Sequence, residues 1–302
     1  MKVLITGGSG LVGSKITELL LAKNIEVVHL TRALNSKFGI KTYKWDWKAN
    51  EIDERCFDGV TDIIHLAGAG IADRPWTMAR KHEIIQSRVY SANLLFEKVT
   101  KLDLKLDSYI SASGIGYYGA VNSERIYSEN DAAYNDFIAK SCIYWEKSAD
   151  QFERLTRVVK LRTGVVLDKD KGALPKISKT IKLGIGSPIG TGKQAFPWIH
   201  IEDIARLYLE SLFNTDYEGV FNAVTPSEID NEELTNSIAK SLNRKLFLPK
   251  VPAFVLKFIY GELADLVLQG SFVSSNKLIE KGFKFKYPTI DEALNNIYKK
   301  KS

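Results

Sequence analysis

The stretch Thr6-Gly7-Gly8-Ser9-Gly10-Leu11-Val12-Gly13 decides the fold. Gly8, Gly10 and Gly13 satisfy the G-x-G-x-x-G pattern of a dinucleotide-binding turn, and Gly7, Gly10 and Gly13 satisfy the wider G-x-x-G-x-x-G. Both registers serve the same physics. Glycines let the backbone N–H groups of a tight turn approach a pyrophosphate, and the helix N-terminus behind them adds free N–H groups and a positive dipole end. The pattern alone says little. Its weight comes from its setting, between an apolar β-run, Lys2 to Thr6, and a segment, Ser14 to Lys23, with Ile16, Leu19 and Leu20 at helical spacing.

Outward from this turn, strands and helices alternate. Glu26 to Thr31 reads as a second strand, Thr42 to Trp45 as a weaker third and Asp62 to Ala67 as a fourth. A long helix, Lys81 to Lys101, precedes a strand at Ser108 to Ala112, and a helix at Lys140 to Leu155 precedes a strand at Val158 to Leu167. Near-continuous apolar strands separated by helices indicate βαβ units and a sheet covered on both faces. The fold class is therefore α/β: a Rossmann-type doubly wound parallel sheet with a smaller, mainly helical C-terminal substrate lobe. After Leu167 the pattern changes. Gly172 to Gly192 reads as loops around one helix, Ile201 to Phe213 as a helix, Gly219 to Ala223 as a strand and Glu232 to Leu242 as a helix. From Leu246 the chain reads as helical, punctuated by Pro249, Pro252 and Pro288. Residues 1–167 and about 196–226 are assigned to the dinucleotide-binding domain, and about 168–195 and 227–302 to the lobe.

Composition narrows the function. Of 302 residues 45% are apolar and 26% charged, which excludes a disordered chain, and 21 Gly and 2 Cys exclude collagen-like and disulfide-scaffold classes. The net charge of +6 would suit nucleic acid, but the cations are scattered and the one tight run, Lys299 to Lys301, is a tail. A mildly basic surface equally suits a small anionic ligand. Cys56 and Cys142 match no metal spacing and read as free thiols of a reducing compartment. His29, His65, His82 and His200 form no zinc pattern, so no metal is expected. The first apolar run is too short for a signal peptide, and Lys257, Glu262 and Asp265 interrupt the run Val251 to Val273, so a cytoplasmic protein with no membrane or nucleic-acid partner is expected. Gly186 to Gln194 imitates a phosphate loop but lacks its first Gly and its Ser or Thr. Trp198 and His200 fall between the two lobes and read as packed interface rather than cleft lining.

The end of the second strand speaks to the cofactor. It reads His29-Leu30-Thr31-Arg32 with no carboxylate nearby to accept from a ribose 2′-hydroxyl. A guanidinium there pairs with a 2′-phosphate, so NADP(H) is favoured over NAD(H). An Arg that merely ends a strand in solvent is the alternative.

Further motifs make the chain resemble the extended short-chain dehydrogenases/reductases, specifically their atypical, epimerase-like subgroup with its own C-terminal domain. They are His65-Leu66-Ala67-Gly68, Arg74-Pro75-Trp76, Ser87-Arg88, Ser111 to Gly119, Leu161 to Leu167, Gly184 to Gly192 with Phe196 to Ile201, Tyr260-Gly261-Glu262 and Gly282-Phe283. The resemblance covers essentially the whole chain. It implies that Leu11 and Val12 offer backbone N–H groups to the pyrophosphate, that Leu66 and Ala67 flank the adenosine, that Glu83 and Arg88 face the cofactor, and that Gly164 and Val165 lie by the nicotinamide. It further implies a small polar carbonyl or hydroxyl substrate, with a nucleotide sugar as the family-level guess, and leaves open a homodimer through the two long helices.

The same resemblance exposes a departure. The family's proton transfer rests on Ser and on Tyr-x-x-x-Lys along one helix, the Lys lowering the Tyr pKa. Ser113 fits the Ser. No Tyr here has Lys four residues on, and the helical register puts Cys142 at the Tyr position and Glu146 at the Lys position. Ser87 stands where many extended members carry Asn. A carboxylate beside a thiol raises its pKa, so Cys142 reads more readily as a small buried side chain than as an acid–base group. Tyr117 and Tyr118 follow the strand that presents Ser113, and Tyr118 is either a catalytic hydroxyl or a packed ring. Two functions follow: an NADP(H)-dependent oxidoreductase or epimerase with an altered catalytic pair, or a non-catalytic NADP(H)-sensing regulator or scaffold.

Overall fold

The computed structural model describes residues 1–32 and 39–298; the Lys299 to Lys301 run lies outside them. In chain order the elements are β1 (Lys2–Thr6), α1 (Leu11–Leu21), β2 (Glu26–Thr31), β3 (Lys41–Asp46), β4 (Glu51–Ile52), β5 (Asp62–His65), α2 (Met78–Lys101), β6 (Ser108–Gly114), β7 (Ser123–Tyr127), α3 (Phe137–Asp150), β8 (Arg157–Thr163) and β9 (Val165–Leu167). There follow α4 (Leu174–Lys182), β10 (Trp198–His200), α5 (Ile201–Phe213), β11 (Gly219–Ala223), α6 (Asn231–Ser241), α7 (Ala253–Tyr260), α8 (Asp265–Leu268), β12 (Ser271–Val273), α9 (Asn276–Glu280) and α10 (Ile290–Tyr298).

The main sheet has the order β11-β8-β6-β5-β1-β2-β3-β4. Every pairing is parallel except β3 with β4. Parallel strands joined by crossover helices must be covered on both faces, and both faces carry a core. On one, Val3, Ile5 and Ile64 pack with Ile16 and Leu20 of α1 and Ile204 and Tyr208 of α5. On the other, Leu4, Val28 and Ile63 pack with Leu94, Leu95 and Ala149 of α2 and α3. The chain order reverses direction between β1 and β5, and such a switch point opens a crevice at the carboxyl ends of the strands.

Helices begin where caps allow. The Thr77 side chain accepts from Arg80 N–H and starts α2 three residues before the apolar period suggests. Asp136 does the same for α3 through Ala139 N–H. The reading of Val158 to Leu167 as one strand is corrected. The chain breaks at Gly164, whose N–H bonds Ala223 while Val165 N–H bonds Pro197. There β8 stays in the main sheet and β9 pairs instead with β10. A Cβ on Gly164 would lie 2.8 Å from both Pro197 O and Val224 Cγ1, so only glycine lets the three segments converge. The reading of everything after Leu246 as helical is corrected too: β12 interrupts it and pairs with β7, a strand the periodicity did not reveal.

The lobe has its own core, where Leu174 and Ile181 of α4 meet Leu234 and Ile238 of α6 and Leu294 and Ile297 of α10. Trp198 belongs to it and is fully buried, and His200 is buried against the Tyr287 ring at 4.0 Å, as packed-interface residues should be. Asp203 is buried on α5 and accepts N–H bonds from Lys286 and Tyr287, which pins the C-terminal segment to the sheet domain. Among the described residues no helix is long and apolar enough to cross a membrane.

Candidate active site

The glycine turn sits at the switch point. Gly7 has φ +71°, a conformation costly for any residue with a Cβ. A Cβ there would also lie 3.1 Å from Leu66 C and 3.2 Å from Ala67 N, so the turn lies flush against the end of β5. Thr6 Oγ1 locks the two together by accepting from the N–H groups of Leu66 and Ala67. Gly10 N–H donates to Gly7 O at 2.9 Å and closes the turn. Gly10 caps α1 without any side-chain bond, and the first turn holds no acid, so the N–H groups there have no competing carboxylate. This cradle fits a pyrophosphate: uncapped helix N–H groups behind a turn stripped of side chains.

Parallel register sets Thr6 opposite Leu30, which carries Thr31 and Arg32 to the same end of the sheet as the turn. Arg32 is exposed there. Glu83 and Arg88 lie on α2 but face different tasks. Glu83 pairs with Arg80 at 2.6 Å, and that guanidinium holds its carboxyl below the usual range. Arg88 is buried, donates to Ala69 O and Ile84 O, and lies 4.6 Å over the Trp145 ring. Burial lowers its pKa to about 10.

Between the carboxyl ends of the strands and the lobe lies a cleft of about 630 Å³. Ser113, Gly114, Cys142, Gly164 and Val165 line its sheet side. Ser113 on β6 and Cys142 on α3 line the cleft, and Glu146, one turn further along α3, lies behind Ser113. Ser113 Oγ donates to Glu146 Oε1 at 2.6 Å. Glu146 is in turn clasped by Arg162 on β8, Nε to Oε1 at 2.8 Å and Nη2 to Oε2 at 2.9 Å. Arg162 Nη1 donates to Tyr118 Oη at 3.0 Å, and Tyr118 donates to Asn222 Oδ1 at 2.7 Å or Ser128 O at 2.9 Å. Burial opposes the charge on Arg162, and the Glu146 carboxylate outweighs it, so the guanidinium pKa is raised.

Sequence reasoning did not find Arg162 as a partner. Its one signal is a cation directly after the largely apolar stretch Val158 to Leu161, a place that demands a counter-charge when buried. Tyr118 is 1% exposed and its hydroxyl is already shared among three groups. Burial, with Arg162 partly opposing, pushes its pKa up to about 12.

Cys142 Sγ packs under the Gly114–Gly116 turn, 3.7 Å from where a Cβ on either glycine would sit. Burial first and Glu146 second push its thiol up to about 12. A thiol in that state is almost wholly protonated at neutral pH, and only thiolate reacts. Labelling of Cys142 by iodoacetamide should therefore be slow at pH 7, with or without NADPH, and should accelerate only well above pH 9. Fast labelling at pH 7 that NADPH blocks would show a reactive thiol instead.

Residues 3–223 match the NAD dependent epimerase/dehydratase family, and residues 251–297 match a domain of unknown function. The chloroplastic SDR39U1 homologue of Arabidopsis thaliana, an epimerase family protein, is 33% identical over 98% of this chain and 86% of its own. The crystal structure of human epimerase family protein SDR39U1 (isoform 2) with NADPH superposes with a TM-score of 0.86 at 30% identity, covering 98% of this chain and 99% of that one. The UDP-glucose 4-epimerase of Thermus thermophilus in complex with NAD shares the fold, with a TM-score of 0.79 at 21% identity over 98% and 99% of the two chains. A glycine cradle at the switch point, a cleft beneath a C-terminal lobe and a match across most of its length make the chain a member of the NAD dependent epimerase/dehydratase family.

Proposed function

We propose that the protein is an NADP(H)-binding oxidoreductase or epimerase-like enzyme with an altered Tyr and Lys pair, in which Ser113, anchored by Glu146 and Arg162, orients the substrate. The observation that carries the cofactor is Arg32 at the end of β2 beside the glycine turn, with no carboxylate following it. The human relative at 30% identity, crystallised with NADPH, supports the same choice. In this reading Gly7, Gly10, Gly13 and the N–H groups of Leu11 and Val12 hold the pyrophosphate. Thr31 and Arg32 hold the ribose phosphate, Leu66 and Ala67 flank the adenosine, and Gly164 and Val165 flank the nicotinamide. Glu83 serves through Arg80, and Arg88 serves as a wall rather than a free charge.

A bound nicotinamide supplies hydride chemistry. The protein's own part is positioning. Ser113 has one proton and gives it to Glu146, which leaves its oxygen as an acceptor. It therefore orients a substrate hydroxyl, and offers no proton to a substrate carbonyl. Cys142 and Tyr118 do not replace the lost Tyr, because neither ionises near neutral pH. That same observation favours the second reading, a non-catalytic NADP(H) sensor. The two are told apart by whether the protein, loaded with NADP⁺, forms NADPH absorbance with any alcohol.

Arg32→Ala tests the cofactor. A charge-assisted hydrogen bond contributes about 1.5–3 kcal/mol, and its exposed position puts the effect at the lower end. NADPH affinity measured by calorimetry should fall roughly tenfold, with NADH affinity almost unchanged. Equal losses for both would remove the phosphate assignment.

A further inference from the structure

The cleft walls say what kind of molecule they cover. On the lobe side they are Ile177, Ile189, Phe196, Leu266, Val267 and Val273, and on the sheet side Ile115, Ile138 and Trp145. Among the described lining residues there is no carboxylate, and the cations are Arg88 and Lys176. Arg88 is buried and committed to backbone carbonyls, as described above. Lys176, exposed on the first turn of α4, is the cation left for a ligand.

Several of the polar side chains on the walls give their protons to the protein itself. Thr163 donates to Leu161 O, Thr180 to Ile177 O, Thr235 to Asn231 O and Ser271 to Val121 O. Ser187 donates to the carbonyls of Leu248 and Pro249. Gln194 donates to Ile189 O and Val267 O, and Asn231 Oδ1 accepts from Ile189 N–H. A sugar ring needs a hydrogen-bond partner for each hydroxyl it buries, and a nucleoside diphosphate brings two negative charges to a cleft with one uncommitted cation. The bonded hydroxyls keep acceptor lone pairs but few donors remain, chiefly Ser141 and the Asn231 amide, and these stand among a majority of apolar side chains. Lys176 balances only one of a diphosphate's charges.

We infer that the cleft takes an amphiphilic monoanion, a hydrocarbon or aromatic body carrying one carboxylate for Lys176 and one hydroxyl for Ser113, rather than a nucleoside diphosphate sugar. The hydroxyl part rests on the function proposed above; the apolar body and single charge rest on the walls alone. This departs from the nucleotide sugar that the family resemblance implies.

Calorimetry on the full chain tests it. NADPH is titrated first, and failure to bind would sink the cofactor reading by itself. Hexanoate, octanoate, decanoate and UDP-glucose are then titrated into both the NADPH-saturated and the cofactor-free protein, so that the cleft is tested whatever NADPH does. Each added methylene should tighten carboxylate binding about threefold to fourfold until the walls are covered. UDP-glucose should show no saturable heat at concentrations where octanoate does. Lys176→Gln, an exposed position whose change leaves the fold alone, should weaken octanoate roughly tenfold and leave 1-octanol unaffected. Affinity independent of chain length, or UDP-glucose binding as tightly as octanoate, would overturn the inference. An equal loss for octanoate and 1-octanol in Lys176→Gln would overturn the place given to the charge.

Discussion

Arg162→Leu is expected to lower the unfolding free energy by about 3–5 kcal/mol, the cost of stranding a buried charge. The side chains of Arg162 and Glu146 are only 4% and 9% exposed, so water cannot replace the lost partner. Glu146→Leu should cost a similar amount, because it leaves the guanidinium alone and removes the acceptor of Ser113 as well. The double replacement Glu146→Leu with Arg162→Leu should recover most of the loss, since two apolar side chains of similar volume replace a pair whose desolvation nearly cancels its attraction. Guanidinium unfolding of the four proteins checks this. If the two single losses simply add in the double variant, the pair is not a coupled unit. The pair thus explains how a buried carboxylate is held behind Ser113. The charge is not exchanged with solvent but answered from the neighbouring strand.

The second large effect is at the glycine turn. Gly10 is the N-cap of α1 with extended backbone, φ −70° and ψ −178°, which valine adopts freely. The nearest atom to a Cβ built there is Gly7 O, at 3.1 Å. That contact is tight, so Gly7 O must give by a few tenths of an ångström, and Gly10→Val should fold with some loss of stability. It should still lose NADPH and NADH alike, because a branched side chain occupies the face that a pyrophosphate must approach. The forfeited helix-terminus contact alone amounts to about 2 kcal/mol, roughly 30-fold in affinity, and steric exclusion adds to it. Gly13→Val is the contrasting case. Its Cβ would lie 2.5 Å from Gly7 O and 2.7 Å from Gly8 Cα, so the turn itself must rebuild and stability should fall. Unchanged cofactor affinity in a folded Gly10→Val protein would place the ligand elsewhere.

Much of the frame is legible in the sequence because its signals are local. The apolar runs of β1, β2 and β11 and the period of α5 give the observed boundaries directly. The family resemblance, read with the helical register, puts Cys142 and Glu146 beside Ser113. What is not legible depends on contacts distant along the chain. β7 reads Ser-Glu-Arg-Ile-Tyr, too polar to signal a strand, and forms because β12, more than a hundred residues later, lies beside it. The break at Gly164 is decided by Pro197 and Ala223 competing for successive N–H groups. The answer of Arg162 to Glu146, and the turning of wall hydroxyls onto backbone carbonyls, follow from packing that no short window contains. The hydroxyls matter most for function, since no stretch of sequence shows which of them give their protons to the backbone.

The excursion between β8 and β11 has a consequence for synthesis. The two strands are neighbours in the sheet, yet residues 164–218 separate them in the chain. At about 5–20 residues per second a ribosome needs roughly 3–11 s to deliver the second after the first. During that interval β8 has no partner on its outer side, and Val158, Val159 and Leu161 form the kind of apolar edge on which foreign strands add. Two cations, Lys160 and Arg162, interrupt that edge. In the finished protein they are answered by Asp150, Glu153 and Glu146 from the preceding helical stretch, which is already made when β8 emerges. The two cations of β8 thus also act as gatekeepers, guarding a half-built sheet until its last strand arrives.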